Sequence, residues 1–388
     1  MTLSRRRYLQ AAGGLAAGGA LAQFGITAAH AQQALANLPS TMIWSTYDVG
    51  STGYVEASAI ADAFGKKYGS RVRLQPSGSA IGRVKPLLDG RSSHAWLANE
   101  LFFATEGLYE YCTPDLGPQD LRTLAGRVNG FSIVATAKSG IREPKDLKGK
   151  RFAIARANSS VNVKSEPILA FAGLSWKDVE LVEVPSYGAT MKALIEGKAD
   201  CAGVAPAAAT LRELEASPQG IGWVALDPAN KEGWARAKKV VPFIEPLNES
   251  VGAGLTADKP VWMMGYRYPM ITVAAKASEA EAYAMTKAVA ETFTLYKDAS
   301  PIMQRWDMSK AGTPPMDAAF HAGAIRYLKE AGHWKADHQQ WQDGMLKRHA
   351  MLQAAWKDFI ASAAAKAADA DGLRSLWDST RTNALKSL

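Results

Sequence analysis

The chain has 388 residues, a formal net charge of +8 and 47% hydrophobic residues. This length is too great for one small core and predicts two domains. Arginine or lysine runs interleaved with aromatic residues, which a nucleic-acid groove needs, are absent, so the positive balance indicates a solvated surface that also attracts anions.

The first 31 residues have the layout of a cleavable signal peptide. Arg5-Arg6-Arg7 precedes a weakly apolar run from Ala11 to Ile26, and Ala29-His30-Ala31 is a small-x-small cleavage site. The arginines, followed by Tyr8 and Leu9, resemble the twin-arginine export pattern. An uncleaved membrane anchor is the alternative, but the apolar run is short and rich in glycine. We predict cleavage after Ala31 and a soluble periplasmic protein of 357 residues, whose charge falls to +5 because three arginines leave.

Short apolar runs then alternate with helical segments. The predicted strands are residues 42–46, 71–75, 95–98, 131–136, 151–155, 180–184 and 199–204. The predicted helices are residues 54–68, 82–88, 163–172 and 189–196. This alternation predicts α/β units with mainly parallel sheets. Residues 226–263 are rich in proline and glycine and weakly periodic, which predicts a long structured loop.

The end of the chain has a different, purely helical character. Residues 339–366 carry apolar side chains at helical spacing, and a further short helix is predicted from Asp371. A tryptophan-rich face, formed by Trp341, Trp356 and Trp377, predicts packing against the body of the protein.

Catalytic and metal-binding motifs are not found in the sequence. Gly78-Ser79-Ala80-Ile81-Gly82 has the wrong spacing for a nucleophile elbow, and Gly252-Ala253-Gly254 is only a fragment of a dinucleotide-binding loop. The histidines have no metal-ligand spacing, and no cysteine pair supports them. The sequence therefore predicts no enzyme activity, no metal and no cofactor.

Three loops join a strand to a helix and are rich in small polar residues. They are Val49–Tyr54, Pro76–Ala80 and Arg156–Ser160. Helix N-termini bind anions through unpaired N–H groups, although serine, threonine and asparagine are also ordinary helix caps. Because all three loops follow strand ends, they favour one shared site in the crevice of an open α/β sheet.

Several segments resemble the TAXI solute receptors, the substrate-binding subunits of one class of TRAP transporters. The resemblance rests on Gly50–Tyr54 with Ala57 and Ile60, Pro76–Ser79, Asn99-Glu100, Glu143–Arg151, Ala157–Ser160, Ala193–Asp200 with Pro206, and Phe320–Gly332. The last, with His321-Ala322-Gly323-Ala324, is the most specific. Departures fall at pocket positions: Gly53 replaces a tyrosine, and Ser51, Asn158 and Ser160 replace glycines.

The resemblance implies an α/β, type II-like periplasmic binding protein fold with two lobes, a hinge between them, and extra C-terminal helices. Lobe 1 would hold residues 38–125 and 275–340, lobe 2 residues 126–270, and the helical extension residues 341–388. Since Cys112 and Cys201 fall in different lobes, free buried thiols are favoured over a disulfide.

The implied function is capture of a small organic anion (a dicarboxylate, an oxo acid or an amino acid) between the lobes and delivery to TRAP membrane subunits. Contact with the membrane would occur only through the transporter. An ABC-type receptor and a receptor that feeds a sensor remain alternatives. The candidate ligand-binding residues are Ser51, Thr52, Tyr54, Ser77, Gly78, Ser79, Asn99, Glu100, Arg156, Asn158, Ser159, Ser160 and Pro206.

Overall fold

The computed structural model describes residues 38–241 and 243–388. The predicted twin-arginine leader and its cleavage site at Ala31 lie outside the described residues. No helix in the described ranges is both long and apolar enough to cross a bilayer.

The described part of the chain begins with three strand–helix units. They are β1 (Thr41–Thr46), α1 (Thr52–Tyr68), β2 (Arg71–Pro76), α2 (Ala80–Leu88), β3 (His94–Leu97) and α3 (Glu100–Glu106). Strand β1 lies between β2 and β3 and is parallel to both. Helix α1 ends at Gly69, which adopts a left-handed conformation with φ of 69°. Glycine takes this conformation without a steric penalty, so it ends the helix and turns the chain into β2.

A long strand, β4 (Leu121–Ala135), then leads into a second set of strand–helix units. These are β5 (Arg151–Ala155), α4 (Ser159–Phe171), β6 (Glu180–Val184), α5 (Tyr187–Ile195), β7 (Cys201–Val204), α6 (Thr210–Ala216), β8 (Gly222–Trp223), α7 (Lys231–Val240) and β9 (Glu245–Glu249). Strand β5 is parallel to both β6 and β7.

A second long strand, β10 (Val261–Ala274), returns the chain to the first sheet and pairs antiparallel with β4. The order is β2-β1-β3-β10-β4 in the first sheet, where β9 also pairs with β10, and β6-β5-β7-β4 in the second, where β8 also pairs with β4. The shared strand β4 joins the two into one continuous ten-stranded sheet. In the first sheet β1 lies between β2 and β3, and β10, which returns from the second set of units, lies beside β3. In the second sheet β5 lies between β6 and β7, and β4, which comes from the first set of units, lies beside β7. We call the elements β1 to α3, with the helices that follow β10 up to Glu330, lobe 1, and the elements β5 to β9 lobe 2; β4 and β10 cross between them. The predicted two-lobed α/β fold is confirmed.

The pairing of β4 with β10 has a register shift between Arg267 and Met270. A register shift interrupts the regular ladder and lets paired strands bend. We propose that this region is the hinge, close to the lobe boundaries expected at residues 125–126 and 270–275.

Helices follow β10 to the end of the described chain. They are α8 (Glu279–Glu291), α9 (Phe293–Tyr296), α10 (Met308–Ala311), α11 (Ala322–Glu330), α12 (Ala336–Ala361), α13 (Ala363–Ala367) and α14 (Ala370–Ala384). Trp356 and Trp377 form a small hydrophobic cluster with Cys112 of lobe 1, which attaches α12 and α14 to that lobe. Trp341 is partly buried against the main core.

Two expectations about the chain have clear outcomes. The predicted loop at 226–263 is wrong, because this segment contains α7, β9 and the start of β10. Its prolines and glycines lie mainly outside these elements, which shortens and hides their periodic patterns. Cys112 and Cys201 are both free and buried, as favoured from the sequence.

Candidate functional site

A cavity lies between the two lobes, beside the crossing strands. It has an empty volume of about 390 Å³ that is continuous with solvent. Lobe 1 contributes Tyr47, Asp48, Ser51, Gly78 and Arg83, and the crossing strands contribute Phe131, Tyr266 and Tyr268. Lobe 2 contributes Asn158, Ser160, Val161, Lys164, Tyr187 and Ala205. All three loops singled out in the sequence therefore reach this cavity.

Each of these loops ends in a capped helix. The Ser51 side chain accepts a 3.2 Å hydrogen bond from Tyr54 N at the start of α1. Ser79 caps α2 by accepting from Gly82 N at 3.1 Å. Asn158 caps α4 with a weaker contact of 3.4 Å from Val161 N. The caps explain the residue types in the loops, and the helix N-termini place positive partial charge at the cavity.

Arg83 is the charged centre of the lobe 1 side. Its side chain is fully buried, and its Nε donates a 2.8 Å hydrogen bond to Glu100 Oε1. The Tyr47 hydroxyl donates to the same Glu100 oxygen, and the Arg83 guanidinium lies 4.1 Å from the centre of the Tyr47 ring. Arg83 Nη2 is buried and has no hydrogen-bond partner among the described residues. A buried unpaired guanidinium N–H is costly unless an acceptor meets it.

Glu100 is held in its ionised form by these contacts. Burial raises the pKa of the Glu100 carboxyl, but the nearby charges of Arg83 and Lys164, together with hydrogen bonds, outweigh burial and leave the pKa below its usual value. Arg83 and Glu100 therefore form a buried ion pair at the base of the cavity.

Lys164 is the charged centre of the lobe 2 side. Its ammonium group lies 4.4 Å from the centre of the Tyr266 ring and 5.3 Å from that of Phe131. Burial lowers the pKa of Lys164 to about 7, while the charge of Glu100 acts in the opposite direction. The aromatic faces stabilise a cation electrostatically, so they partly replace the lost solvent.

Two carboxyl groups lie near these cations without an ion pair. Asp48 lines the cavity, and burial raises its pKa although Arg83 lowers it. Asp317 is 5% exposed, and its Oδ2 atom has no hydrogen-bond partner among the described residues. Burial raises the pKa of Asp317 to about 7, against the opposing charge of Lys164. The surroundings of the cavity thus contain both signs of charge.

Direct hydrogen bonds join the lobes around the cavity. Ser160 Oγ of lobe 2 donates to Asn99 Oδ1 of lobe 1 at 2.6 Å. Ser159 Oγ donates to Glu110 Oε1 at 2.7 Å. Ala209 N at the start of α6 donates to the carbonyl oxygen of Gly50 at 3.2 Å. The structure therefore has the lobes in contact, in a closed arrangement.

The predicted site residues occupy different places in this arrangement. Ser51, Gly78, Asn158 and Ser160 line the cavity. Four others bind residues that line the cavity or make the contacts between the lobes: Asn99, Glu100, Ser159, and Ser77, whose carbonyl oxygen accepts from Arg83 Nη1.

The remaining five predicted residues do not line the cavity either. Ser79 caps α2, Thr52 is buried at the start of α1, and Tyr54 is half-buried on α1. Arg156 is exposed and pairs with Glu183, and Pro206 lines a separate pocket with Arg212.

The sequence reasoning missed the most strongly charged and aromatic parts of the site. Arg83 and Lys164 lie four residues after Ser79 and Ser160. In a helix, residues four apart lie on the same face, one turn from each other. Each therefore faces the loop before its helix, and this spacing is the signal that locates them. Tyr266 and Tyr268 alternate on β10, and nothing in the sequence alone places that strand beside the cavity.

Within residues 38–241 and 243–388, no group of three or more histidine, cysteine, aspartate or glutamate side chains is arranged to hold a metal ion.

Comparisons with known proteins give the following similarities. The alkanesulfonate-binding protein SsuA from Xanthomonas axonopodis pv. citri, bound to MOPS, is 15% identical, with 77% of this chain and 85% of that chain covered and a TM-score of 0.40. The periplasmic aliphatic sulphonate binding protein SsuA from Escherichia coli is 13% identical, with coverages of 82% and 88% and a TM-score of 0.42.

An amino acid ABC transporter substrate-binding protein, AbpA from Streptococcus pneumoniae bound to L-arginine, is 12% identical, with coverages of 69% and 96% and a TM-score of 0.40. No curated protein sequence matches the chain significantly. The NMT1-like family matches residues 45–332, which is more than half of the 388 residues. The chain belongs to the NMT1-like family.

Proposed function

We propose that this protein is an exported solute receptor that binds a small organic anion between its lobes and delivers it to a TRAP membrane transporter. The observation that carries this proposal is Arg83, a buried guanidinium at the cavity whose Nη2 atom has no partner among the described residues. A carboxylate oxygen is the acceptor that such a group binds best, because the hydrogen bond is assisted by charge.

The helix N-termini support an anionic ligand independently of Arg83. The first turns of α1, α2 and α4 begin at loops that line the same cavity. Their N–H groups and helix dipoles favour negative charge at that point. A ligand that contacts the loops of both lobes stabilises the closed state, and closure is the signal that a transporter reads.

Asp48 narrows the choice among dicarboxylates, oxo acids and amino acids. Its carboxyl group lines the cavity and forms no ion pair among the described residues. A second ligand carboxylate placed beside Asp48 would be repelled, whereas an ammonium group would be attracted. We therefore expect amino acids to bind more tightly than dicarboxylates of the same length.

The delivery step is supported by the resemblance to TRAP receptors at Phe320–Gly332 and in the first loop. His321 caps α11 by accepting a 3.1 Å hydrogen bond from Gly323 N, so this motif has a structural use in lobe 1. The twin-arginine layout of the leader supports export to the periplasm. An ABC-type or sensor-linked receptor would use the same cleft, so transport assays must separate these cases.

The test is a thermal-shift screen of the mature protein against amino acids, 2-oxo acids and dicarboxylates, followed by calorimetry on each hit. We expect at least one acid to raise the melting temperature and bind with one-to-one stoichiometry. Arg83→Lys should weaken that binding, because lysine lacks the guanidinium fork with which Arg83 holds Glu100 and Ser77 while Nη2 points to the ligand. Arg156→Lys is the matched control, since Arg156 is exposed and outside the cavity.

Two outcomes would overturn parts of the proposal. If none of the tested acids binds the folded protein, the proposal that the cleft binds an organic anion is wrong. Uptake of the identified ligand that requires ATP hydrolysis instead of an ion gradient would replace the TRAP partner with an ABC transporter.

A further inference from the structure

Helix α3 connects the cleft to the C-terminal helices. Asn99, just before it, accepts hydrogen bonds from Ser160 and Lys164 of lobe 2. Glu100, its first residue, holds Arg83. Glu106, its last residue, lies against α12 and α14. A helix of seven residues is only about 10 Å long, so a displacement of Glu106 at its end also displaces Asn99 and Glu100 at its start.

Glu106 is clamped by the C-terminal helices. The residue is 2% exposed. Arg348 of α12 binds both of its carboxylate oxygens, Nε to Oε1 at 2.6 Å and Nη2 to Oε2 at 2.9 Å. Arg381 of α14 donates from Nε to Oε2 at 2.6 Å, and Trp377 Nε1 donates to the Glu106 carbonyl oxygen at 3.0 Å. Paired, buried contacts of this kind hold a helix end in one position.

The same helices also support the turn that follows α3. Tyr109 has a φ of 53°, the only positive φ of a non-glycine residue in the described chain. Such a conformation persists only where the surroundings enforce it. The next residue, Glu110, accepts the hydrogen bond from Ser159 of lobe 2, and Cys112 packs in the cluster of Trp356 and Trp377. Segment 99–112 thus makes contacts across the cleft and rests on the C-terminal helices.

We propose that α12–α14 are a brace that positions segment 99–112 for lobe closure, with Glu106, Arg348 and Arg381 as positioning residues. If the clamp is loosened, Asn99 and Glu110 move away from Ser160 and Ser159 of lobe 2. Glu100 likewise moves away from Arg83. The loss of these contacts disfavours the closed state. This inference goes beyond the proposed function, because it concerns closure itself and holds for any ligand of the cleft.

The test follows closure directly in the full mature protein without ligand. Single-molecule FRET between dyes at Lys66→Cys in lobe 1 and Lys192→Cys in lobe 2 reports the fraction of time spent closed; both native cysteines are buried. Arg348→Met is compared with Lys347→Met, which removes the same charge from the neighbouring, exposed position of α12. We expect the ratio of closed to open protein to fall by about fivefold or more in Arg348→Met, the lower end of allosteric coupling, and to stay unchanged in Lys347→Met.

A second variant guards against simple unfolding. Arg348→Lys keeps the charge but loses the bidentate geometry, so it should restore part of the closed fraction. Circular dichroism establishes which variants are folded at the assay temperature. A folded Arg348→Met or Arg348→Lys protein with the wild-type closed fraction would overturn the brace, even if its melting temperature is lower. Because no ligand is present, this result is independent of the ligand screen.

Discussion

Lys164 Nζ of lobe 2 donates a 3.0 Å hydrogen bond to Asn99 Oδ1 of lobe 1, so one lysine both lines the cavity and joins the lobes. Asn99 also accepts from Ser160 Oγ on the same oxygen. The amide of Asn99 donates in return to the Ser160 carbonyl oxygen at 3.3 Å. Contacts that close the lobes and contacts available to a ligand therefore share the same few side chains.

The pH dependence of stability should reveal the buried state of Lys164. Burial lowers its pKa to about 7 from an ordinary 10.5, so between these values the unfolded chain binds a proton that the folded chain has released. The unfolding free energy of the wild type should therefore rise with pH relative to Lys164→Met between pH 7 and 10, by at most about 1.4 kcal/mol per pH unit. Guanidinium chloride unfolding at several pH values measures this difference.

The groups that face Lys164 do not reverse this sign. Arg83 and Glu100 are charged throughout the range, and removal of Lys164 raises the pKa of Asp317 further, which destabilises only the variant as pH rises. Lys177→Met, at an exposed position, is the control and should show a flat difference. A difference for Lys164→Met that stays flat or falls with pH would contradict the assignment.

The Arg83–Glu100 pair should show strong coupling in stability. Arg83→Met leaves the Glu100 charge buried without its main partner, which should cost about 3–5 kcal/mol of unfolding free energy. Arg83→Met with Glu100→Gln removes that stranded charge, so the double variant should recover a large part of the loss. Urea denaturation provides both values. Glu100→Gln alone completes the cycle, and an equal effect of Glu100→Gln in the wild type and in Arg83→Met would show that the two groups do not interact.

Substitution of Arg156 should change neither the stability nor the ligand affinity of the protein to a large extent. Arg156 forms an exposed pair with Glu183, with side-chain exposures of 72% and 50%. Exposed ion pairs contribute little because water and salt screen them, so Arg156→Met should change the unfolding free energy by less than about 1 kcal/mol. Calorimetry with the ligand found in the screen should give the wild-type affinity. A loss of binding would place Arg156 in the site despite its distance from the cavity.

Much of the fold follows from local patterns in the sequence. The sequence predicts strands at residues 151–155 and 180–184, and the structure has strands with the same bounds. Their apolar runs are short, and turn residues bound them on both sides. The sequence predicts only the end of strand β4, because the part before Phe131 contains Arg122, Arg127 and Asn129. Arg127 pairs with Glu56 inside the protein, a distant contact that no local pattern indicates.

The candidate site was predictable to the extent that it uses loops after strands. Ser51, Gly78 and Ser160 come from such loops and line the cavity. Arg156 is the cation nearest to the third loop in sequence, whereas Arg83 and Lys164 lie one helical turn inside their helices. The charge of a cleft depends on which helix faces point inward, and that depends on the pairing of both lobes.

Gly117 and Gly149 offer a matched test of how the C-terminal helices pack. Both have a positive φ, 66° and 69°, so alanine is strained at either position. A Cβ at Gly149 would meet no atom within 4 Å, whereas at Gly117 it would lie 2.2 Å from Trp356 Nε1. Gly149→Ala should therefore lose only the backbone term, about 1–2 kcal/mol.

Gly117→Ala should lower the unfolding free energy by about 1–3 kcal/mol more than Gly149→Ala does, because the Trp356 ring must move. The Trp356 ring packs edge-on against that of Trp377, with 4.8 Å between the ring centres. Trp377 Nε1 donates a hydrogen bond to the Glu106 carbonyl oxygen. A displaced Trp356 ring therefore also disturbs the clamp on Glu106 at the end of α3. Denaturation followed by tryptophan fluorescence measures both variants. Equal losses at the two glycines would mean that Trp356 yields freely, and that α12 is not held against lobe 1 by this contact.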